Sequence, residues 1–469
     1  MTFELVVIGA GPAGMAAAAA AAEAAVATIL LDENAGPGGQ IYRAIGSSPL
    51  KQKDLLGEDY WRGEELVRRF EQSGATYRPH CSVWALQATA DGVEIGTLDQ
   101  HGAQMIGARH AIVATGAMER PFPIPGWTLP GVMTVGGAQT LLKASALAPD
   151  GEAVIAGSGP LLYLYARQLI AAGAPPKLIL DTTPKANWMR ALRHAPGFLA
   201  SRYLRRGLGL LAAVQRKVPV IRHVTGLRAE GDDRVREIVW QTSQGEARRQ
   251  VDLLLLHQGV VPTINLWSAA ACVSRWNDVQ ACWHAETDAW GQSSEPNIFI
   301  AGDGAGIGGA EIAAMGGLLA GLQVAHRSGR ITAASRDQHA HTAQQALSGY
   351  RRGRNFLDAL YRPADWTRQP TGETIVCRCE EISAAQIIDV TKQGCIGPNQ
   401  MKAYIRCGMG PCQGRQCSLT VTELMAQEKT LNPSEIGHFR LRPPVKPLTL
   451  AELAGVPANE PEKASVIRF

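Results

Sequence analysis

The chain has 469 residues, 46% of them hydrophobic and 19% charged, which is the composition of a folded protein of about two to four domains. Its 46 Lys and Arg residues against 42 Asp and Glu give a net charge of +4, too balanced for a nucleic-acid-binding surface. Nine clustered cysteines argue against a secreted disulfide scaffold. Because the sequence also shows neither a secretory signal nor a membrane span, we expect a cytoplasmic protein without a transmembrane segment.

The N-terminus has the pattern of a βαβ unit that binds a dinucleotide. A buried strand over residues 4–8 is followed by the turn "GAGPAG" (9–14), an Ala-rich helix and a second strand that ends in an acidic pair. In this motif the three glycines allow the tight turn, the approach of the pyrophosphate and close helix–strand packing, and the helix N-terminus donates N–H groups to the phosphates. The aspartate can accept hydrogen bonds from the ribose. The residues predicted for this site are Gly9, Gly11, Pro12, Ala13, Gly14, Asp32 and Glu33.

Three later stretches favour FAD over NAD at this site. They are "GPGGQIYR" (36–43), "HAIVATGA" (110–117) and "EPNIFIAGDGAG" (295–306). In this order they resemble the flavoproteins of the glutathione-reductase type, which have two dinucleotide domains. The resemblance implies FAD, with the aspartate of the "GD" strand on the ribityl chain. The further residues that it assigns to FAD are Gly38, Gly39, Gln40, Ala114, Thr115, Gly116, Gly302 and Asp303.

A second glycine turn lies inside the first unit. The strand 153–156 leads into Gly157 and Gly159, a helix follows, and the next strand ends at Asp181. In the relatives this domain binds NAD(P)H, but here Leu162 replaces the third glycine and should separate helix from strand. We therefore expect a vestigial site, or one that holds a non-reacting adenine nucleotide on Gly157, Gly159 and Asp181.

Other catalytic groups of this fold are missing from the sequence. Disulfide reductases keep a C-x4-C or C-x-x-C pair beside the flavin, whereas Cys272 and Cys282 have neither spacing and are predicted to be core thiols. His80, His257 and His284 are as easily explained as core or surface histidines. No residue is therefore assigned as a catalytic base.

Five cysteines are concentrated in "TIVCRCEEIS" (374–383) and "CGMGPCQGRQC" (407–417). On an extended segment Cys377 and Cys379 would face one object, and glycines around Cys412 and Cys417 would let the backbone wrap sulfur. Four such thiolates can bind zinc or an iron–sulfur cluster, and Cys407 could compete as a ligand. The stretch resembles the bacterioferritin-associated-ferredoxin-like [2Fe–2S] domain. That resemblance favours the cluster, with Cys377, Cys379, Cys412 and Cys417 as its ligands.

The order of these parts predicts an α/β chain with two Rossmann-like domains of the glutathione-reductase type, the FAD domain being discontinuous, and a small C-terminal [2Fe–2S] domain. The expected boundaries are 1–118 with 286–345 for the FAD domain, 119–285 for the degraded NAD(P)-like domain, 346–370 for a linker, 371–428 for the cluster domain and 429–469 for a tail.

This order, together with "RPFPIPGWTLPGVMTVGGAQTLLK" (120–143), resembles the larger flavoprotein subunits, of A or α type, of bacterial opine, D-hydroxyproline and L-proline dehydrogenases. The B subunit of hydrogen cyanide synthase and the N-terminal half of the sarcosine oxidase α chain belong to the same group. The resemblance implies a subunit of an FAD-dependent oxidoreductase that acts on CH–NH bonds.

The same resemblance implies a set of partners. A substrate-oxidising FAD subunit (β), sometimes with a small third subunit and with FMN between subunits, would pass electrons through this chain to a respiratory acceptor, which could also bring it to a membrane. The alternatives are a self-sufficient NAD(P)H-dependent flavin reductase, a component of hydrogen cyanide synthase and a cluster-binding regulator without catalytic activity.

Overall fold

The computed structural model describes residues 3–50 and 52–456. The first third of the chain contains β1 (Phe3–Ile8), α1 (Pro12–Glu23), β2 (Thr28–Leu31), α2 (Lys53–Leu56), α3 (Glu58–Trp61), α4 (Gly63–Gln72), β3 (Thr76–Arg78), β4 (Ser82–Thr89), β5 (Gly92–Asp99), β6 (Gly102–Val113) and β7 (Ala117–Glu119). The middle contains β8 (Val132–Thr134), α5 (Val135–Ser145), β9 (Ala153–Ser158), α6 (Pro160–Ala171), β10 (Leu178–Asp181), α7 (Lys185–Leu192), α8 (Ala195–Leu199), α9 (Arg202–Gln215), β11 (Val220–Arg222), β12 (Gly226–Glu230), β13 (Glu237–Thr242), β14 (Gly245–Gln250), β15 (Leu253–Gln258) and β16 (Val260–Pro262).

The last part begins with α10 (Asn265–Ala269), β17 (Ser274–Asn277), β18 (Cys282–Ala285), β19 (Ile298–Ile300), a 3-10 turn (Gly302–Gly304), α11 (Ala310–Arg327) and α12 (Ala333–Leu360). It ends with α13 (Asp365–Arg368), β20 (Ile375–Cys377), β21 (Ile382–Ser383), α14 (Ala384–Lys392), α15 (Pro398–Ile405), α16 (Ser418–Lys429), α17 (Pro433–Ile436) and α18 (Leu450–Ala454). Within the described ranges, no helix has both the length and the hydropathy needed to cross a membrane.

The N-terminal unit is built on a seven-stranded sheet of order β3-β2-β1-β6-β5-β4, with β19 also paired to β6. The strands β3, β2, β1 and β19 run parallel to β6 or to one another, and their apolar residues are almost completely buried. The Ala-rich α1 packs along α11, where Gly317 and Gly321 face Ala13 and Ala17. The return of the chain at β19 and α11 makes this unit discontinuous, as the sequence predicts.

The middle unit repeats the arrangement with a parallel sheet of order β11-β10-β9-β15-β8. A separate antiparallel sheet, β12-β13-β14, packs beside it. Short strands β7 and β16 pair where the two units join. The predicted α/β fold class with two Rossmann-like sheets is confirmed.

The segment expected as a linker is largely helical, because α12 runs for 28 residues from Ala333 to Leu360. The C-terminal unit has its own core, which also includes Ile436, Phe439 and Leu441. The unit therefore continues past residue 428, into the region predicted as a tail. Farther on, Val445 packs in the core of the N-terminal unit and donates its N–H to Trp84 O at 2.8 Å.

Candidate cofactor sites

The first glycine turn brings α1 directly against the end of β1. A Cβ at Gly14 would lie 1.8 Å from Gly9 O, so only glycine allows this approach. Gly11 is the N-cap of α1 and Pro12 its first residue, and Ala13 is buried beneath the turn. The first-turn N–H groups of the helix face a cradle of backbone, which fits the phosphates of a dinucleotide.

Asp32 ties this turn to the end of β2. Its Oδ2 accepts a hydrogen bond from Ala10 N at 2.5 Å, and its Oδ1 accepts one from Asn34 N at 2.7 Å. A ribose would therefore share the carboxylate with two backbone N–H groups. The neighbouring Glu33 is exposed and forms an ion pair with Lys446.

The loop 36–41 closes over the turn. Gly38 N donates to Ala10 O at 2.8 Å, and Gly39 lies beside Gly11. Lys143 Nζ of α5 holds the loop by donating hydrogen bonds to Gln40 O at 3.1 Å and to Ile41 O at 3.0 Å. Burial, with a smaller effect of Arg43, lowers the pKa of Lys143 to about 7. No sequence pattern marks this residue, since a single lysine near a helix end is usually exposed.

The ends of β1, β6 and β19 meet at the same edge of the sheet. Ala114 N donates to Ile8 O at 2.8 Å, Thr115 Oγ donates to Thr263 O at 3.4 Å, and Gly304 lies next to Gly116. Gly302 begins the 3-10 turn after β19. Asp303 Oδ1 accepts from the N–H groups of Gly308 and Gly309 at 2.8 and 2.9 Å. The structure thus brings the residues predicted for FAD together at one edge of the sheet, the edge at which ligands of doubly wound sheets bind.

Side chains from several elements contact the second glycine turn and its acidic residue. Tyr163 donates its hydroxyl to Asp181 Oδ2 at 2.5 Å, and Thr183 N donates to Oδ1 at 2.9 Å, so a phenol takes the position that a backbone N–H group has on Asp32. The imidazole of His257 faces Gly159 and is bonded through Nδ1 to Glu119 at 2.5 Å. Sequence reasoning missed Tyr163, Glu119 and the role of His257, because each meets its partner only in the folded chain.

Other predicted residues lie as expected. Cys272 and Cys282 are buried, and burial raises their pKa values to about 11 and about 12. His284 is buried and bonded to Gln280, while His80 is exposed.

A group of three sulfurs lies in the C-terminal unit. Cys377, Cys407 and Cys417 are buried, and their Sγ atoms all lie within 4.8 Å of one another. The structure thus joins two predicted ligands with Cys407, which sequence reasoning set aside. Thiols from Cys407 and Cys417, together with the N–H groups of Gly408 and Glu380, lower the pKa of Cys377 to about 2. This sulfur is therefore held as the thiolate that binds metal.

The other two predicted ligands form an adjacent pair. Cys379 lies within hydrogen-bonding reach of the thiol and the backbone N–H of Cys412. The prediction that Cys377 and Cys379 share one extended segment is wrong, because β20 ends at Cys377 and the chain turns there. Gly410 makes room for this turn, since a Cβ on it would lie 2.2 Å from that of Cys379. The group of three sulfurs and the adjacent pair provide five thiols, enough for a cluster held by four thiolates.

The cysteine loop rests against the strand ends of the first site. Asn265 Nδ2 donates to the carbonyl of Gln413, the residue after Cys412, at 3.3 Å. Two residues before Asn265, Thr263 N donates to Gly116 O at 2.9 Å. A small, mostly apolar cavity of about 40 Å³ lies beside this contact. Its lining includes Met118, Ile264, Trp283 and Leu419.

Comparison with known families agrees with this architecture. Residues 3–345 match the pyridine nucleotide-disulphide oxidoreductase family, and residues 371–456 match the sarcosine oxidase A3 domain. The chain is therefore a flavin-dependent oxidoreductase, as the sequence predicts.

More specific relatives cover nearly the whole chain. The A-type subunit of opine oxidase from Rhizobium meliloti is 43% identical over 97% of this chain and 88% of its own length. Hydrogen cyanide synthase subunit HcnB of Pseudomonas aeruginosa is 30% identical over 96% of this chain and 97% of its own length. The chain belongs to the family of A-type opine oxidase subunits, which confirms the predicted relationship.

A solved structure shares the fold across all three units. L-proline dehydrogenase from P. horikoshii superimposes with a TM-score of 0.73 at 18% identity, covering 97% of this chain and 79% of that chain. At this identity the likeness supports the fold alone.

Proposed function

We propose that this chain is the electron-transfer subunit of a heteromeric dehydrogenase for an opine, D-hydroxyproline or proline type of substrate. When bound, FAD would accept electrons in pairs and a [2Fe–2S] cluster would carry them singly to a respiratory acceptor. A partner subunit with its own FAD would oxidise the C–N bond, in some assemblies with FMN at the interface. The opine oxidases at 43% identity support the opine class.

One observation carries the proposal: the cysteine loop is held against the flavin-side strand ends. From Gly116 the contacts run through Thr263 and Asn265 to Gln413, which adjoins Cys412. Each step is a hydrogen bond or a short stretch of chain, so the two sites are linked without a gap of bulk solvent. Such a link suits electron transfer between two cofactors within one subunit.

The residues around both sites position loops and turns. Lys143 and the glycine turn position the loop 36–41, Asp303 fixes the turn at 308–309, and Gly410 shapes the cysteine loop. Each of these groups thus has a structural role, and we assign the chemistry on the substrate to the partner.

A self-sufficient NAD(P)H reductase is disfavoured by the second glycine turn. Asp181 is occupied by Tyr163, and Leu162, which takes the place of the third glycine, is fully buried against the core. A tyrosine hydroxyl on the acidic residue and a leucine in place of the third glycine both depart from the motif that binds NADH.

The test is reduction of the flavin under anaerobic conditions. The chain co-expressed and purified with its partner should lose flavin absorbance when one of a panel of opines, D-hydroxyproline or proline is added, whereas NADH should leave the isolated chain oxidised. Rapid bleaching of the isolated chain by NADH would contradict the proposal. Bleaching of the isolated chain by a substrate of the panel would also contradict it.

A further inference from the structure

The middle unit contains a strongly basic segment. Residues 182–229 include ten Lys and Arg and no Asp or Glu. The rest of the chain contains the other 36 of the 46 basic residues and all 42 acidic residues, so its net charge is negative. The net positive charge of the protein is therefore concentrated in this segment, which contains α7, α8 and α9. Such asymmetry is typical of proteins that bind an anionic surface.

Helix α7 exposes its large apolar residues instead of burying them. Its buried face consists of Asn187 and Ala191, whereas Trp188, Met189 and Leu192 are 51%, 73% and 61% exposed. A surface helix normally turns its apolar stripe to the core. The helix is instead anchored by an amide, because Asn187 Nδ2 donates to Leu360 O at 3.0 Å and to Arg362 O at 2.8 Å.

Helix α8 extends the same surface. The ring of Phe198 stacks on Phe356 at 4.1 Å, and Trp188 meets the same ring edge-on at 6.4 Å. Leu199, next to Phe198, is exposed. The apolar side chains of the two helices therefore lie around one ring of α12. We call the group of Trp188, Met189, Arg190, Leu192, Arg193 and Leu199 the α7–α8 patch.

Cations alternate with the apolar residues of the patch. Arg190 and Arg193 are exposed, and no carboxylate among the described residues lies within ion-pair distance of either. By contrast, Arg202 and Arg206 of α9 are paired with Glu311 and Asp59. The patch thus combines unneutralised charge with exposed apolar area.

We propose that the α7–α8 patch docks the protein on an anionic lipid bilayer. Apolar side chains would enter the boundary between headgroups and acyl chains while the flanking guanidinium groups reach the lipid phosphates. A protein partner fits less well, because the core of a protein interface is depleted of charged side chains, whereas here they recur at each turn. The proposal is independent of the electron-transfer role and places the protein where a lipid-soluble acceptor would be found.

The test is co-sedimentation of the full chain with vesicles of phosphatidylcholine alone or mixed with phosphatidylglycerol. Wild-type protein should bind the anionic vesicles, fail to bind the neutral ones, and dissociate as salt rises. Replacing Arg190 and Arg193 by Glu should weaken binding by at least about 25-fold, or roughly fivefold for each cation. The matched control, Arg68→Glu with Lys392→Glu, changes two exposed cations outside the patch and should bind like wild type.

The apolar contribution is tested separately by Met189→Ser, which alters an exposed side chain and leaves folding unaffected, as the melting temperature will show. This variant should also lose binding to anionic vesicles. Equal binding of wild type to neutral and anionic vesicles, or unchanged binding of the patch variants, would overturn the proposal. If wild-type protein does not bind vesicles and the patch variants no longer co-purify with the substrate-oxidising subunit, the patch is an interface between subunits and the proposal is wrong.

Discussion

The C-terminal unit places five cysteines around one loop, whereas a [2Fe–2S] cluster is held by four. Cys377 is hydrogen-bonded to both Cys407 and Cys417, and Cys379 is hydrogen-bonded to Cys412. Cys407 is the fifth sulfur, and it donates to Cys377. The ligand set of Cys377, Cys379, Cys412 and Cys417 stays a prediction. It can be tested by replacing one of these cysteines and, separately, Cys407.

Iron content separates the two sets of ligands. Cys412→Ser should lose bound iron and the visible absorption beyond the flavin bands, because only three of the four predicted thiolates would remain to hold a cluster. Cys407→Ser, the matched control, should keep both. Loss of iron from the Cys407 variant with retention in the Cys412 variant would show that Cys407 is the ligand.

A buried histidine makes the stability of the fold depend on pH. Burial, with a smaller effect of Arg275, lowers the pKa of His284 to about 4. In the unfolded chain this group takes up a proton near pH 6.5, so between about pH 6.5 and pH 4 the unfolded state binds more protons. Stability should therefore fall as the pH drops through this window, by up to about 3 kcal/mol.

Thermal melts across that range check the effect. His284→Gln preserves a side chain that can donate to Gln280 and removes the titration, so its melting temperature should change less with pH than that of wild type. Parallel curves for the two proteins would mean that His284 does not contribute. His110, whose pKa is also lowered to about 4 by burial and by Arg327 and Arg109, remains in both proteins.

Single residues were predictable where a short motif dictates the local geometry. The glycine turn at 9–14 lies where the sequence places it, because such a turn depends on neighbours in the chain. Tyr163, Lys143 and Asn265 were not predictable, since each contacts a partner distant in the sequence. The turn after Cys377 was not predicted for the same reason, because it depends on the absence of a side chain at Gly410.

At the level of elements, the contact between α10 and the cysteine loop links the two candidate cofactor sites. Asn265→Leu removes the donor to Gln413 O while keeping the size of the side chain. It should weaken this contact by roughly 1 kcal/mol and slow electron delivery to the cluster, with flavin and iron retained. Stopped-flow absorbance of the two cofactors measures the rate.

The control is Asn399→Leu, whose hydrogen bonds to His438 and Arg440 lie within the C-terminal unit. It should transfer electrons at the wild-type rate. If the Asn265 variant does the same, the contact is not part of the route.

Elements with strong periodicity or complete motifs were predicted well, and those stabilised by packing were not. The parallel strands beside the two glycine turns follow from short apolar runs in the sequence. The length of α12 did not follow, because its polar sequence forms a helix through contacts such as Asn187 with its last turn and Phe198 with Phe356. Tertiary packing, not intrinsic propensity, decides such segments.

At the scale of the whole molecule, buried charges fix the C-terminal unit to the rest. Glu423 of α16 is 1% exposed and lies between Arg120, near the junction of the two Rossmann-like units, and Arg368 of α13. Trp127 adds a hydrogen bond from its indole to Ile375 O at 2.7 Å. Breaking a buried ion pair is costly, so the cysteine loop is held in one place against the flavin-side strands.

The most direct measurement of the proposed role is electron paramagnetic resonance on the purified complex, frozen after anaerobic addition of its substrate. A signal of a reduced [2Fe–2S] cluster should appear as the flavin bands are lost, and it should be absent from the Cys412→Ser complex, whose flavin still bleaches. NADH added to the isolated chain should produce no signal. A flavin fully reduced by substrate without any cluster signal, or a cluster signal produced by NADH alone, would contradict the account.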